Sequence, residues 1–127
     1  MRCNFHGQLP RERINEFYAA AHCLLLPSES EGFPKVVAEA ASFGVIPIVS
    51  AVSAIPQYVN DGNGFLWDPN KPFAAWFAGL PLGDRELLRR QGNSIVSMSE
   101  RFTYEHYCRR IEQDILPLLK RGRARSA

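Results

Sequence analysis

Leu24-Leu25-Leu26-Pro27-Ser28-Glu29-Ser30-Glu31-Gly32-Phe33-Pro34-Lys35-Val36-Val37-Ala38-Glu39-Ala40 is the stretch whose reading decides the fold. It opens inside a short apolar run, Cys23 to Leu26, bounded by His22 and Pro27. Such a run is the pattern of a strand buried in a parallel sheet. A polar loop, Pro27 to Phe33, follows. Pro34 is predicted at the first position of a helix, where its missing N–H would be unpaired anyway. The helix carries Val36, Val37, Ala40 and Ala41 on one face, and Gly44 suits its C-terminal cap. In open α/β sheets, ligands bind at the carboxyl ends of strands. The free N–H groups and dipole of a helix N-terminus favour anions there, at roughly 0.3–1 kcal/mol per charge. A phosphate would suit this corner. Lys35 adds a cation, although Pro34 removes one N–H from the cradle.

The pattern repeats outward in both directions. Residues 1–9 read as a loop or strand end closed by His6-Gly7. From Pro10, the spacing of Ile14, Phe17, Tyr18 and Ala21 predicts an amphipathic helix. Downstream, Val45 to Ser50 reads as a second buried strand, with Pro47 demoting it toward an edge or a strand start. A short helix or turn is expected at Ala54 to Val59, and a turn at Asn60 to Gly64. Gly64 to Trp67 reads as a third strand. Helices follow at 73–80 and at Asp84 to Arg101, the latter weakened by roughly 1 kcal/mol at Gly92. Thr103 is a candidate N-cap for a last helix, striped by Tyr107, Ile111, Ile115 and Leu118, which Pro117 kinks or ends. Alternating strands and helices mean an α/β, Rossmann-like βαβ three-layer architecture with a parallel sheet. Three strands are fewer than a doubly wound domain needs. The sequence thus reads as a partial domain, residues 1–119, whose opening strands lie outside it. Residues 120–127 read as a disordered basic tail.

Composition narrows the classes. The chain has 127 residues, of which 46% are hydrophobic and 22% charged, as in an ordinary globular protein. It is too short for two domains with separate cores. No apolar run approaches the roughly 20 residues that span a bilayer, and Met1 to Gly7 has no signal-like stretch. The net charge of +2 is a tail effect. Lys120, Arg121, Arg123 and Arg125 face no acid, and without them eleven basic residues stand against thirteen acidic ones. A nucleic-acid partner is not expected from that distribution. Cys3, Cys23 and Cys108 are scattered, which suits a reduced, cytoplasmic protein and predicts no metal site.

Two carboxylates bracket the turn, Glu31 in the loop and Glu39 on the helix. A carboxylate repels a phosphate, so either is better suited to accept hydrogen bonds from sugar hydroxyls. Helical spacing sets Glu39 at the border of the apolar face. Periodicity leaves both a solvated boundary position and a ligand contact open.

The stretch PSESEGFPKVVAEA resembles the EX7E signature of retaining glycosyltransferases of family 4, which have the GT-B fold. Glu31 matches the first glutamate and Glu39 the second. The likeness continues in order along the chain. Phe5-His6-Gly7-Gln8-Leu9 resembles the family's F-x-G-x-L segment, and Phe17 to Ala21 its L-Y-x-x-A helix. Gly44 to Ser50 resembles G-x-P-V-V-A, Ile55 to Val59 resembles I-P-E-x-V, and Asp61 to Leu66 resembles D-G-x-N-G-F-L. Arg101 to Glu105 resembles the F-S-W/Y-E start of the closing helix.

This resemblance implies the donor-binding C-terminal half of a GT-B fold, using a UDP- or GDP-sugar without a cofactor or metal. It implies Glu31 as the catalytic-site residue near the donor sugar. The backbone N–H groups of Gly32, Phe33, Lys35, Val36 and Val37 would face the sugar and diphosphate. Glu39 would hold the ribose, and His6 and Gly7 would lie near the nucleobase. The family's separate N-terminal acceptor domain, and the upstream Arg and Lys that clamp the diphosphate, have no counterpart in this sequence. That electrostatic clamp is usually the largest contribution to such a transfer. The isolated chain is therefore expected not to turn over. The expected partners are the nucleotide-sugar, the missing N-terminal domain or a dimer partner, and weak contact with an anionic membrane surface at the inner face. A catalytically dead binding module is the alternative reading.

Overall fold

A computed structural model describes residues 2–32 and 34–125. The elements are α1 (Arg11–Ala20), β1 (Cys23–Leu26), α2 (Lys35–Ser42), β2 (Ile46–Ser50), β3 (Phe65–Trp67), α3 (Phe73–Ala78), α4 (Arg85–Ser99), α5 (Tyr104–Arg110) and α6 (Leu116–Arg125). Single 3-10 turns lie at Ile55–Gln57 and Glu100–Phe102.

The three strands form one parallel sheet in the order β1-β2-β3. Its register sorts the side chains into two faces, because neighbours along a strand point to opposite sides. Leu24, Leu26, Val49 and Leu66 pack with Val37 of α2, Ile55 and Val59. Ile46, Ile48 and Phe65 pack with Trp76 and Phe77 of α3 and with Leu87 and Leu88 of α4. Helices therefore cover both faces, giving the α/β three-layer arrangement. Further along, Ile95 and Met98 of α4 pack against Ala41 of α2. That passage lies on the side where the strands begin. The opposite edge, where the strands end, is left to the loops.

Of the two placements expected for Pro47, an edge or a strand start, the structure shows the second, since Pro47 is the second residue of β2. β2 is the central strand, and all five of its residues are buried. The amide of Ile46 points toward β1, donating to the His22 carbonyl at 3.0 Å. Alternation turns the nitrogen of Pro47 toward β3, whose register with β2 starts only at Ile48. The missing donor therefore falls just outside the ladder, and a central strand tolerates it.

β1 is less buried than its apolar run suggests. Leu25 is 48% exposed, because α3 and α4 cover the sheet over β2 and β3 but not over β1. Pro34 is the N-cap residue of α2 rather than its first helical residue, with an extended φ of −73° and ψ of 122°. The other end of α2 is a Schellman motif. Gly44 has φ +75°. The amides of Gly44 and Val45 return to the carbonyls of Ala41 and Ala40 at 2.9 and 3.1 Å. Gly92 lets α4 approach this turn closely, since a Cβ there would lie 3.2 Å from the Gly44 carbonyl oxygen. The glycine that weakens α4 locally is the one that permits its packing.

Thr103 caps α5 as expected, its hydroxyl accepting from the His106 amide at 3.2 Å. Pro117 does not end the helical course. A π-helical segment, Ile111–Ile115, runs directly into α6 ahead of it. Widening the turn is a known way to accommodate a proline's missing N–H. The tail from residue 120 is also not disordered throughout, because α6 runs on to Arg125. Residues 126–127 lie outside the described residues.

Candidate functional site at the carboxyl edge of the sheet

β1 ends at Leu26, and the chain turns through Pro27–Gly32 before α2 begins at Lys35. This edge holds most of the expected donor residues. The Ser28 hydroxyl donates to Glu31 Oε1 at 2.9 Å, which holds that half-buried carboxylate at the mouth of the loop. Ser28 thus shapes the loop through a specific bond. Gly32 is exposed, and nothing lies within 4 Å of the position a Cβ would occupy. No packing in the protein itself requires glycine there. Backbone kept bare toward open space is what close approach of a ligand needs. Phe33 lies outside the described residues.

The first turn of α2 divides its roles. Lys35 is exposed at the helix start. Val36 is half-buried and Val37 is 1% exposed in the core, so only their backbones can address a ligand. The Val37 amide already donates to the Pro34 carbonyl at 3.0 Å. Of the three α2 amides among those expected to face the sugar and diphosphate, that one is engaged. Helix geometry gives those of Lys35 and Val36 no intrahelical partner.

Glu39 lies one turn further along and is exposed. The Tyr18 hydroxyl donates to its Oε2 at 3.4 Å, from a ring that is itself only 8% exposed. A core residue of α1 therefore reaches through to touch the carboxylate, a contact no motif indicated. Burial, then the Glu39 charge and its hydrogen bond, push the Tyr18 hydroxyl above its ordinary 10.0. The unfolded chain ionises this tyrosine first. Its stabilising contribution is whole below pH 10 and is lost as pH rises through the raised folded value. Urea unfolding at about pH 9 and about pH 11 should show a steeper loss for wild type than for Tyr18→Phe. Equal losses would mean that the contact contributes nothing.

His6 and Gly7 are exposed, and the structure sets His6 against Phe17 of α1, with ring centroids 4.6 Å apart. No hydrogen bond among the described residues links either to the loop or to Glu39. Phe17, on the apolar stripe of α1, is 39% exposed. Trp67 is half-buried and donates its ring N–H to the Lys71 carbonyl at 3.0 Å. Burial raises the pKa of the Cys23 thiol, which keeps it protonated and unreactive. Among the described residues, no three His, Cys, Asp or Glu side chains gather as metal ligands.

Sequence reading missed the ground next to Lys35. Between α2 and α5 the surface opens into a groove of about 880 Å³. Lys35, Tyr58, Arg101 and Tyr104 line it, and the Arg101 guanidinium stands 4.9 Å over the Tyr58 ring. These residues are far apart in sequence. The local signal is the cation and aromatics of Arg101 to Tyr104, whose pattern is also that of a helix start.

Comparison with known proteins places the chain in a family. The family model described as glycosyl transferases group 1 matches residues 1–78. A D-inositol 3-phosphate glycosyltransferase of Streptomyces griseus is 33% identical over 107 residues, covering 80% of this chain and 22% of that protein. The O-antigen chain mannosyltransferase B of Escherichia coli is 41% identical over 64 residues, 50% of this chain and 16% of that protein. Among solved structures, a sucrose-phosphate synthase from Thermosynechococcus elongatus superposes with a TM-score of 0.74 at 26% identity, covering 98% of this chain and 31% of that one. The chain therefore spans about a quarter of the length of the curated relatives it matches. Its three-layer sheet is part of a GT-B fold, and the chain belongs to the group 1 family of glycosyltransferases.

Proposed function

We propose that this chain is the nucleotide-sugar-binding portion of a retaining glycosyltransferase that moves a sugar from a UDP- or GDP-sugar to a glycan or lipid-linked acceptor. The observation that carries the reading is the carboxyl edge of β1. There a bare glycine backbone, the start of α2 and two carboxylates, Glu31 and Glu39, stand on consecutive turns of chain. The helix start suits the diphosphate. Glu31, fixed by Ser28, accepts from the hydroxyls of the donor sugar, and Glu39 accepts from the ribose.

The acceptor side is supplied from elsewhere, by an N-terminal domain or a second copy. The uncovered face over β1, where Leu25 is exposed, supports the need for such a partner. The proposed setting is the cytoplasm, peripheral to the inner membrane face. Among the described residues no helix is long and apolar enough to cross a membrane.

Thermal unfolding of the purified chain with UDP-glucose, GDP-mannose, UDP and GDP tests the reading. Ligand at 100 times its Kd should stabilise the fold by about 2.7 kcal/mol. The same chain should transfer no sugar, because none of the described residues on this edge matches the upstream diphosphate-clamping Arg and Lys that the family resemblance implies. No shift with any nucleotide at millimolar concentration would overturn donor binding and favour a catalytically dead protein-interaction module. Measurable transfer would overturn the need for a partner.

A further inference from the structure

The helical run from Tyr104 to Arg125 passes through α5, the π-helical segment and α6, and its apolar residues are left in water. Tyr107, Ile115, Leu116, Leu118 and Leu119 are between 41% and 63% exposed. None of them joins the apolar clusters that hold the helices on the sheet. Ile115, Leu118 and Leu119 follow i, i+3, i+4 spacing, which sets them on one side of the helix. Single exposed leucines are ordinary, whereas a contiguous apolar row marks a surface that meets a partner.

The charge beside that row points to the partner. From Ile115 onward the sequence holds Lys120, Arg121, Arg123 and Arg125 and no acid. Asp114, the last acid before them, is paired with Arg110. Because α6 runs on to Arg125, the cations belong to the same helix as the leucines, with Lys120 and Arg121 directly after Leu119. The centre of a protein–protein interface is depleted of charge, and of lysine in particular. A second copy of this chain would oppose the row with a body of nearly balanced charge, eleven basic residues against thirteen acidic ones. An anionic bilayer offers apolar depth and continuous negative charge together. Long lysine and arginine stems keep their charged heads at the phosphates while neighbouring leucines enter the acyl boundary. Tyr107, apolar in its ring and polar at its tip, suits the headgroup layer. Among the described residues no helix is long and apolar enough to cross the membrane, so the fit is to its surface.

We propose that the run through α5 and α6 lies flat on an anionic membrane surface, with Ile115, Leu118 and Leu119 in the acyl boundary and Lys120 and Arg121 on the lipid phosphates. Either signal alone gives marginal attachment, and the two together give a stable one. The inference rests on the peripheral setting proposed above and is independent of donor binding.

Co-sedimentation of the full chain with vesicles of phosphatidylcholine alone, and of phosphatidylcholine mixed with phosphatidylglycerol, tests the proposal. The chain should bind the anionic vesicles at least about tenfold more tightly than the neutral ones, and raised salt should release it. The double variant Leu118→Gln, Leu119→Gln should lose at least about tenfold in binding while melting like wild type, since both side chains are exposed. Lys120→Gln with Arg121→Gln should lose about tenfold or more. Binding that survives the leucine pair would overturn insertion of the row and leave a peripheral setting owed to the cations alone. No binding to either vesicle would overturn both the inference and that setting, and equal binding to both would overturn the role of the cations. A dimer in sedimentation equilibrium that the leucine pair dissociates would also overturn the proposal, because a second copy would then cover the row. Donor binding is read separately, from the UDP-sugar thermal shift, which both double variants should leave unchanged. A chain that shows the shift but ignores vesicles sinks only this inference, and the converse sinks only the donor reading.

Discussion

Replacing Gly64 by alanine should lower the melting temperature of this chain by about 10–20 °C. The new Cβ would lie 2.8 Å from three atoms at once, Pro47 Cγ, the Pro47 carbonyl oxygen and Val59 Cγ1. One of these is backbone of the central strand, and another belongs to a side chain that is 0% exposed. The glycine cannot back away. Its carbonyl accepts from Gln91 Nε2 at 3.0 Å, a buried side chain that also bonds the Asp61 carbonyl at 3.1 Å. Relief therefore requires β3 to separate from β2 or the Gln91 contact to break. Overpacking of this kind costs about 3 kcal/mol, a large share of the stability of a small domain. Gly32→Ala is the matched control, since nothing lies within 4 Å of its Cβ position. Its melting temperature should stay within about 2 °C of wild type by circular dichroism. A Gly64→Ala chain that melts alongside the control would show that β2, β3 and the Val59 turn are far looser than described.

Glu39→Ala should abolish the stabilisation that a UDP- or GDP-sugar gives, without weakening the fold. The residue is exposed on α2, and the better helix propensity of alanine offsets the loss of the 3.4 Å bond from Tyr18, so stability should change little. On the proposed donor reading, Glu39 accepts from the ribose through charge-assisted bonds. Their loss should cost about 3 kcal/mol, roughly a hundredfold in affinity. Tyr18→Phe separates the carboxylate from its support. It removes the hydroxyl that touches Glu39 Oε2 and leaves the carboxylate in place. Its donor shift should be retained in large part. If Glu39→Ala keeps a full nucleotide-sugar shift, the ribose assignment fails. If both variants lose it equally, the tyrosine is needed to hold the carboxylate in position.

Local sequence carried much of the fold, and the places where it failed share a cause. The strands, the two long helices, the Thr103 cap and the turn at Gly44 depend on neighbours within a few residues, so pattern reached them. Pattern leaves Pro47 at an edge or at a strand start, because the choice depends on which side of β2 its nitrogen faces and where β3 begins pairing, a matter of register between strands. Leu25 was misjudged because a strand's apolar run states what could be covered, not what covers it. The π-helical passage before Pro117 is a choice between breaking a helix and widening it, which composition does not decide.

The same division runs through the site. The sequence by itself determined the strand–loop–helix corner, the order of its residues and the family signature around Glu31 and Glu39, because each is a spacing along one continuous stretch. Tertiary structure alone decided the rest. Tyr18 reaches Glu39 across 21 residues of chain because α1 and α2 pack on the same apolar cluster. Arg101 meets Tyr58 and Lys35 in one groove because α4 carries the chain back past α2 to the far end of the domain. Contacts between remote segments depend on how helices pack on the sheet, and no periodicity within either segment records that.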